Sequence, residues 1–386
     1  MVNPPVADSA ADTPRLVLVG AGHAHLFVLE ARARGRFPAA RVTLVAPQAR
    51  HLYSGMVSGF IGGIYGVDDL AFDLPSLAAK ADAAYIRGSV VRLDTGTRQV
   101  ELDSGRLVAY DIASFAIGSG VVGADLPGVR EWALTAKPID TAESMLATLE
   151  RRAASGMPRV VVVGGGAGGV ELALGFRARL RRMGLADAPV SLLDRQLRLL
   201  ADRSEASARA ASRALADNAI EVRLESDVGE VGSGVVRLKN GVEVAFDLLV
   251  WATGAAASTL FRTAGLKTDD RGFLLVDGTL RSVSDPAVFA AGDAATLRQF
   301  PGTPKSGVYA VREGPVLSHN LMLALSHGPS RDYRHFRPQA RSLVLVNTGD
   351  GRALLSYGTV AVRARWAMGL KDWIDRRFMD RFHRLE

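Results

Sequence analysis

The sequence contains no cysteine. That absence excludes disulfide frameworks, thiolate zinc sites and any redox-active dithiol, so redox chemistry in this chain needs a bound cofactor. Long apolar runs are missing too: none approaches the roughly 20 residues that cross a bilayer, which leaves soluble or surface-bound states. Residues 1–14 lack the basic start and apolar run of a signal peptide and read as a disordered leader, which places the chain in the cytoplasm. Lysine is scarce, 6 residues against 41 arginines. The net charge of +7 favours anionic partners, but no nucleic-acid module accompanies it and no nucleic acid is expected as a partner. What is present is globular: 386 residues, 48% of them hydrophobic, enough for two or three domains with cores.

Two segments repeat one plan. Arg15-Leu-Val-Leu-Val-Gly-Ala-Gly22 and Arg159-Val-Val-Val-Val-Gly-Gly-Gly166 each run an apolar strand into a glycine turn and a helical pattern, with Gly20 and Gly164 144 positions apart. This is the opening of a βαβ unit. Farther on, Val100-Glu-Leu-Asp-Ser-Gly-Arg-Leu-Val-Ala-Tyr-Asp111 parallels Val236-Arg-Leu-Lys-Asn-Gly-Val-Glu-Val-Ala-Phe-Asp247. Both have hairpin spacing around a turn dipeptide, Ser104-Gly105 or Asn240-Gly241. Each hairpin leads into a buried strand ending in glycine, Ala116-Ile-Gly118 and Ala252-Thr253-Gly254, where a missing Cβ lets backbone approach a ligand.

In a dinucleotide turn the first glycine permits the bend, the second admits the pyrophosphate and the third lets helix and strand pack closely, while the helix N-terminus faces the phosphates. Gly164, Gly166 and Gly169 fill all three positions in the second copy, and Asp194 closes the next strand, Val190 to Asp194, where a carboxylate can hold an adenosine ribose. That favours NADH. Arg195 and Arg198 leave room for a 2′-phosphate, so NADPH stays open. The first copy keeps Gly20 and Gly22 but has His25 in the third position and no acid after the strand Val42 to Ala46. His23 and His25 have no third ligand nearby for a metal, so no metal is expected and packing or phosphate contact is the reading. After both units, Asp285-Pro-Ala-Val-Phe-Ala-Ala-Gly-Asp293 is an apolar strand ending in Gly292-Asp293, where a carboxylate can grip the ribitol hydroxyls of FAD.

On these residues the chain, over roughly 15–325, resembles the two-dinucleotide-domain flavoproteins of the pyridine nucleotide-disulfide oxidoreductase superfamily, in the branch of type II NADH dehydrogenases and sulfide:quinone oxidoreductases. Gly20-Ala-Gly-His-Ala-His25, Tyr53-Ser54-Gly55-Met56, Pro304 to Gly314 and Lys371 to Met379 further resemble the flavoprotein domain fused to selenophosphate synthetase. The resemblance implies an FAD-dependent NAD(P)H oxidoreductase, with FAD bound by Gly20, Gly22, Gly118 and Asp293 and NADH by Gly164, Gly166, Gly169, Asp194 and Gly254. His23, Ser54, Gly55, Ala116, Gly292 and Thr253 join them as cofactor contacts from the same motifs. The resemblance points to Glu171 beside nicotinamide and flavin, with an ordinary helix residue as the alternative. Lys305 is a second catalytic candidate, a compact ammonium able to stabilise the reduced ring, against chance retention. The Ala-Gln pair with which type II dehydrogenases meet quinone is replaced by Gly307-Val308, and without cysteine the usual sulfide chemistry is excluded.

The expected fold class is α/β: two Rossmann-like, three-layer domains, FAD over 15–128 and 256–325 and NAD(P)H inserted over 129–255, then a small α+β region over 326–386. In its last helix Trp366, Leu370, Trp373, Ile374, Phe378, Phe382 and Leu385 recur at three-to-four spacing, with Lys371, Arg376, Arg377, Arg381 and Arg384 largely elsewhere. Such a helix suits a membrane interface on the cytoplasmic face. Alternatively its stripe covers the chain's own core or a homodimer partner. The expected chemistry is hydride transfer from NADH to flavin. Electrons then pass to quinone, or to a soluble carrier or small molecule; a non-catalytic NADH-sensing flavoprotein is the third reading.

Overall fold

The computed structural model describes residues 13–327 and 332–385. The leader expected over 1–14 lies, but for its last two residues, outside the described residues. Two five-stranded parallel sheets carry the duplicated plan. The first runs Val288–Ala290, Ile112–Phe115, Arg15–Val19, Arg41–Ala46, Ala83–Arg87, and the second Leu134–Thr135, Leu248–Trp251, Val160–Val163, Val190–Leu193, Glu221–Arg223. In each sheet the strand before the glycine turn is central and pairs in parallel with both neighbours. Parallel strands are covered on both faces, which is why they read as continuous apolar runs: all four residues of Val160–Val163 and of Ile112–Phe115 are buried.

The two hairpins are present and each gains a strand that the pairing of repeats did not show. Val90–Asp94, Gln99–Leu102 and Leu107–Ala109 form one antiparallel sheet, and Val228–Gly232, Val235–Leu238 and Glu243–Ala245 the other. Their turns superpose in kind: Gly105 at φ 80° and Gly241 at φ 86° adopt the left-handed conformation that glycine accepts without strain.

The same tie closes both units. Arg15 bonds Asp111 and Arg159 bonds Asp247, each arginine using its backbone N–H as well as its guanidinium.

After the helix Gly307–His327, the chain forms a three-stranded antiparallel sheet, Val344–Asn347, Ala353–Tyr357 and Val360–Ala364, and a final helix, Arg365–His383. The final helix departs from its expected division into an apolar and a basic face. Phe382 and Met379 are buried, but so are Lys371 and Asp375, while Trp366 and Trp373 are 59% and 58% exposed. Lys371 and Asp375 sit one turn apart and pair at 2.8 Å, so the two charges are buried together. Arg381 also leaves the expected outer face for the buried carboxylate of Glu30, at 2.6 Å. Among the described residues no helix is long and apolar enough to cross a membrane.

Candidate functional site

One cavity of about 1600 Å³ lies between the two parallel sheets, and both glycine turns open onto it. In the second turn each glycine has a separate geometric reason. A Cβ on Gly169 would lie 1.9 Å from the carbonyl oxygen of Gly164, so the helix Ala167–Arg182 packs against the strand only because none is there. A Cβ on Gly166 would meet nothing within 4 Å, leaving an open approach to backbone N–H groups at the start of that helix. Asp194 is packed against this turn: a Cβ on the intervening Gly165 would lie 2.2 Å from its carboxylate. Burial pushes the Asp194 carboxyl up, opposed by the N–H groups of Gln196, Gly165 and Arg195.

The first turn is built differently. Gly22 donates its N–H to the Ala116 carbonyl at 2.9 Å, and a Cβ at Gly22 would come within 2.5 Å of that oxygen. In the third position, His25 is fully buried and spans from the Gly20 carbonyl at 2.6 Å to the Ser114 hydroxyl at 2.9 Å. Burial pushes it down to about 4, so the ring is neutral; Nδ1–H donates to Gly20 and Nε2 accepts from Ser114. Two hydrogen bonds thus replace the close contact that glycine provides in the second copy.

His23 lines the cavity in an aromatic cluster, its ring centroid 5.3 Å from Tyr53 and 5.8 Å from Phe378, with Nε2 at 3.4 Å from the Ser54 hydroxyl. Burial holds it near 4 as well. Its contacts among the described residues are ring packing and the Ser54 hydroxyl. Among the described residues no group of three His, Cys, Asp or Glu side chains is placed to hold a metal.

Around the far wall the remaining candidates divide. Ala116, Gly118, Thr253 and Gly254 line the cavity at the strand ends of the two sheets, and the Thr253 hydroxyl donates to the Val122 carbonyl at 2.6 Å. Gly292 donates its N–H to the buried carboxyl of Glu313 at 2.5 Å, and burial drives that carboxyl up to about 8. Asp293 is met by Lys137 at 2.5 Å. Lys305 lines the cavity, but its ammonium is engaged: it bonds the Ala295 carbonyl and the Thr296 hydroxyl and lies 4.1 Å from the Phe273 ring centroid. Burial lowers it to about 8.

Glu171 enters the cavity from the helix Ala167–Arg182. It accepts the Asn347 N–H at 2.8 Å and lies 3.8 Å from the Lys371 ammonium. Burial raises its carboxyl, with Lys371 opposing. Lys371 also bonds the Gly55 carbonyl, and Asp375 accepts the Tyr53 hydroxyl at 3.2 Å. A Cβ on Gly55 would lie 2.9 Å from Asp375, so this glycine admits the final helix to the site.

Sequence reasoning missed Lys137, Glu313 and Asp375. A Lys–Asp pair four apart inside an apolar stripe was a usable signal for Asp375; Lys137 and Glu313 lie in segments that the repeat does not duplicate. Four of the chain's six lysines, Lys137, Lys239, Lys305 and Lys371, line this one cavity.

The site fits two dinucleotides: two helix N-termini reached through glycine, a carboxylate at the strand end of each unit, and enough volume for both. Comparisons agree. Residues 14–314 match the pyridine nucleotide-disulphide oxidoreductase family. An NADH dehydrogenase-like protein of Mycobacterium tuberculosis is 30% identical over 298 residues, 74% of this chain and 73% of its own length. The type II NADH:quinone oxidoreductase of Haemophilus influenzae is 26% identical over 362 residues, 82% of this chain and 81% of its own length. In fold, the chain is similar to NDH2 of Plasmodium falciparum, solved in complex with NADH, with a TM-score of 0.79 at 15% identity, covering 96% of this chain and 97% of that one.

Proposed function

The chain belongs to the pyridine nucleotide-disulphide oxidoreductase family and is an FAD-dependent NAD(P)H oxidoreductase, and from that premise we propose that it oxidises NADH and reduces a quinone. The observation that carries the reading is the opening of both glycine turns onto one cavity, with Glu171 on its wall. On this reading Gly20, Gly22, Ala116, Gly118, Gly292 and Asp293 hold FAD, with His23, Ser54 and Gly55 beside them. Gly164, Gly166, Gly169, Asp194, Thr253 and Gly254 hold NADH. The FAD unit is 15–128 with 256–325, the nicotinamide unit 129–255, and 326–386 a third region; every strand of each parallel sheet falls inside its unit.

When bound, FAD takes up a hydride from the nicotinamide and releases its electrons to a second acceptor. The chain's residues position and exclude. Backbone N–H groups at the two helix starts face the pyrophosphates, Asp194 accepts from the ribose, and Tyr53 and Phe378, stacked on each other, wall the cavity with His23 tilted against both. Glu171, with a raised carboxyl, is able to hold a proton for the acceptor side. Lacking cysteine, the chain does not pass electrons through a dithiol. Lys305 is retained as a candidate for tuning the flavin, through a loop its ammonium already anchors.

A soluble electron carrier is the second reading, favoured by Gly307-Val308 in place of the Ala-Gln pair and by the basic charge. Exposed Trp366 and Trp373 beside Arg376 and Arg377 support attachment to the cytoplasmic face of a membrane, where quinone resides. Kinship with the flavoprotein domain fused to selenophosphate synthetase rests on the shared motifs, and any selenium connection is an implication of that kinship alone.

Anaerobic stopped-flow mixing with NADH and with NADPH, followed by a quinone or soluble acceptors, tests these readings. Rapid flavin bleaching by NADH and reoxidation by quinone is expected; reoxidation by a soluble carrier alone selects the second reading. Bleaching over many minutes selects an NADH sensor.

A further inference from the structure

We propose that Lys137 is a positioning residue for FAD: reaching from the nicotinamide unit, it fixes the Asp293 carboxylate of the FAD unit and so couples flavin binding to the placement of the second unit. The inference rests on the reading that Asp293 holds the ribityl hydroxyls.

Asp293 follows the edge strand of the first sheet, Val288–Ala290, and Lys137 follows the edge strand of the second, Leu134–Thr135. Their side chains, 12% and 33% exposed, meet across the cavity at 2.5 Å. Ser119 completes a triangle: its hydroxyl donates to Asp293 at 3.3 Å and accepts from Lys137 at 3.3 Å. Both contacts fall on Oδ2, so Oδ1 has no protein partner among the described residues and is left to accept from a cofactor hydroxyl.

The surroundings demand a cation here. The Asp293 carboxylate is itself largely buried, the cofactor adds two phosphate charges, and Glu313, behind the turn on the Gly292 N–H, is held largely protonated and adds none. Lys305 lies near enough to feel the Asp293 charge, but its ammonium is bonded to the Ala295 carbonyl and the Thr296 hydroxyl and lies over the Phe273 ring, so it makes no direct contact with that carboxylate. Among the described residues Lys137 is the cation within ion-pair distance of Asp293. A point charge with three donors suits a corner shared by a carboxylate oxygen and a hydroxyl, whereas a planar guanidinium is longer and forked. In a chain that prefers arginine almost everywhere, lysine is kept at this corner.

The test measures FAD dissociation by flavin fluorescence, and the flavin midpoint potential, in full-length Lys137→Met, Lys137→Arg, Asp293→Asn and the Met/Asn double variant. K137M is expected to weaken FAD binding by about ten-fold, the effect of losing one charge-assisted hydrogen bond, and to move the potential to a more negative value, because an uncompensated carboxylate in the flavin site disfavours the added negative charge of the reduced cofactor. K137R restores part of both. The double variant binds FAD as D293N does, within about two-fold, since Lys137 acts through Asp293. Wild-type affinity and potential in K137M, or additive losses in the double variant, overturn the proposal. D293N with unaltered FAD affinity overturns the ribityl reading beneath it. Should K137M not fold, Lys137→Gln, which keeps the length and a donor, takes its place under the same criteria.

Discussion

Arg15 and Asp111 are joined by three hydrogen bonds, from the arginine backbone N–H at 2.7 Å, Nε at 3.1 Å and the terminal nitrogen at 2.8 Å. Arg159 and Asp247 repeat the arrangement at 2.8, 2.8 and 3.0 Å. The Asp247 carboxyl is drawn down to about 2, chiefly by the Arg159 side chain, from an ordinary 3.8. A depressed carboxyl stabilises the fold above its unfolded value and loses that contribution as pH falls, here between about pH 4 and pH 2. Because the pair is largely solvent-screened, Asp247→Asn is expected to cost only about 1 kcal/mol at pH 7 and almost nothing at pH 2. Urea midpoints across that range check it; a cost independent of pH would refute the assignment.

Gly166 and Gly169 predict opposite phenotypes. Gly169→Ala drives a methyl into the Gly164 carbonyl and is expected to destabilise the nicotinamide unit by roughly 2–4 kcal/mol. Gly166→Ala meets no protein atom, keeps the melting temperature and weakens NADH binding by placing its methyl at the pyrophosphate approach. Calorimetry paired with NADH titration separates the two.

Replacing Asp194 by Ser removes the carboxylate that repels a 2′-phosphate, while Arg195 remains beside it. The ratio of kcat/KM for NADPH over NADH is expected to rise by about ten-fold or more, a difference of about 1.4 kcal/mol. Steady-state kinetics with both nucleotides decides; an unchanged ratio places discrimination elsewhere.

Glu171→Gln keeps the side chain's shape and its bond from Asn347 while removing the titrating group. Flavin content and the rate of flavin reduction by NADH are expected to hold, and acceptor turnover to fall on the order of a hundred-fold. The raised carboxyl gives wild type a descending limb as pH rises and the proton is lost; in E171Q that limb should vanish. A persistent limb assigns the proton to another group.

Trp366 and Trp373 are exposed on the final helix while Phe378 and Phe382 pack inward against Tyr53 and Phe27. The double change of both tryptophans to Ser should therefore leave melting temperature and FAD content intact and abolish flotation with anionic liposomes. Wild-type protein that stays at the bottom of the gradient ends the membrane reading.

Much of this organisation was legible because duplication leaves two independent copies of each signal: the apolar strands, Gly20 with Gly164, and Gly105 with Gly241. His25 was legible as a departure from the fingerprint but not as a brace, since its partner Ser114 is 89 positions away. The final helix misled because periodicity counts apolar residues and is blind to charges that cancel: Lys371 and Asp375 occupy buried positions because they neutralise each other and meet Gly55 and Tyr53. Lys137 and Glu313 act across the boundary between copies, where no repeat exists to compare.

The concentration of lysine around one cavity makes the chain chemically uneven. Its other two lysines, Lys80 and Lys267, are exposed. Lys305, held near 8, carries an appreciable unprotonated fraction at neutral pH. Lys371, buried and paired with Asp375, is shielded, so an acylating reagent selective for side-chain amines finds Lys137, Lys239 and Lys305 at the cavity and Lys80 and Lys267 outside it. Adducts on Lys137, Lys239 and Lys305, read with and without FAD or NADH, become a footprint of cofactor occupancy, with Lys80 and Lys267 as internal controls.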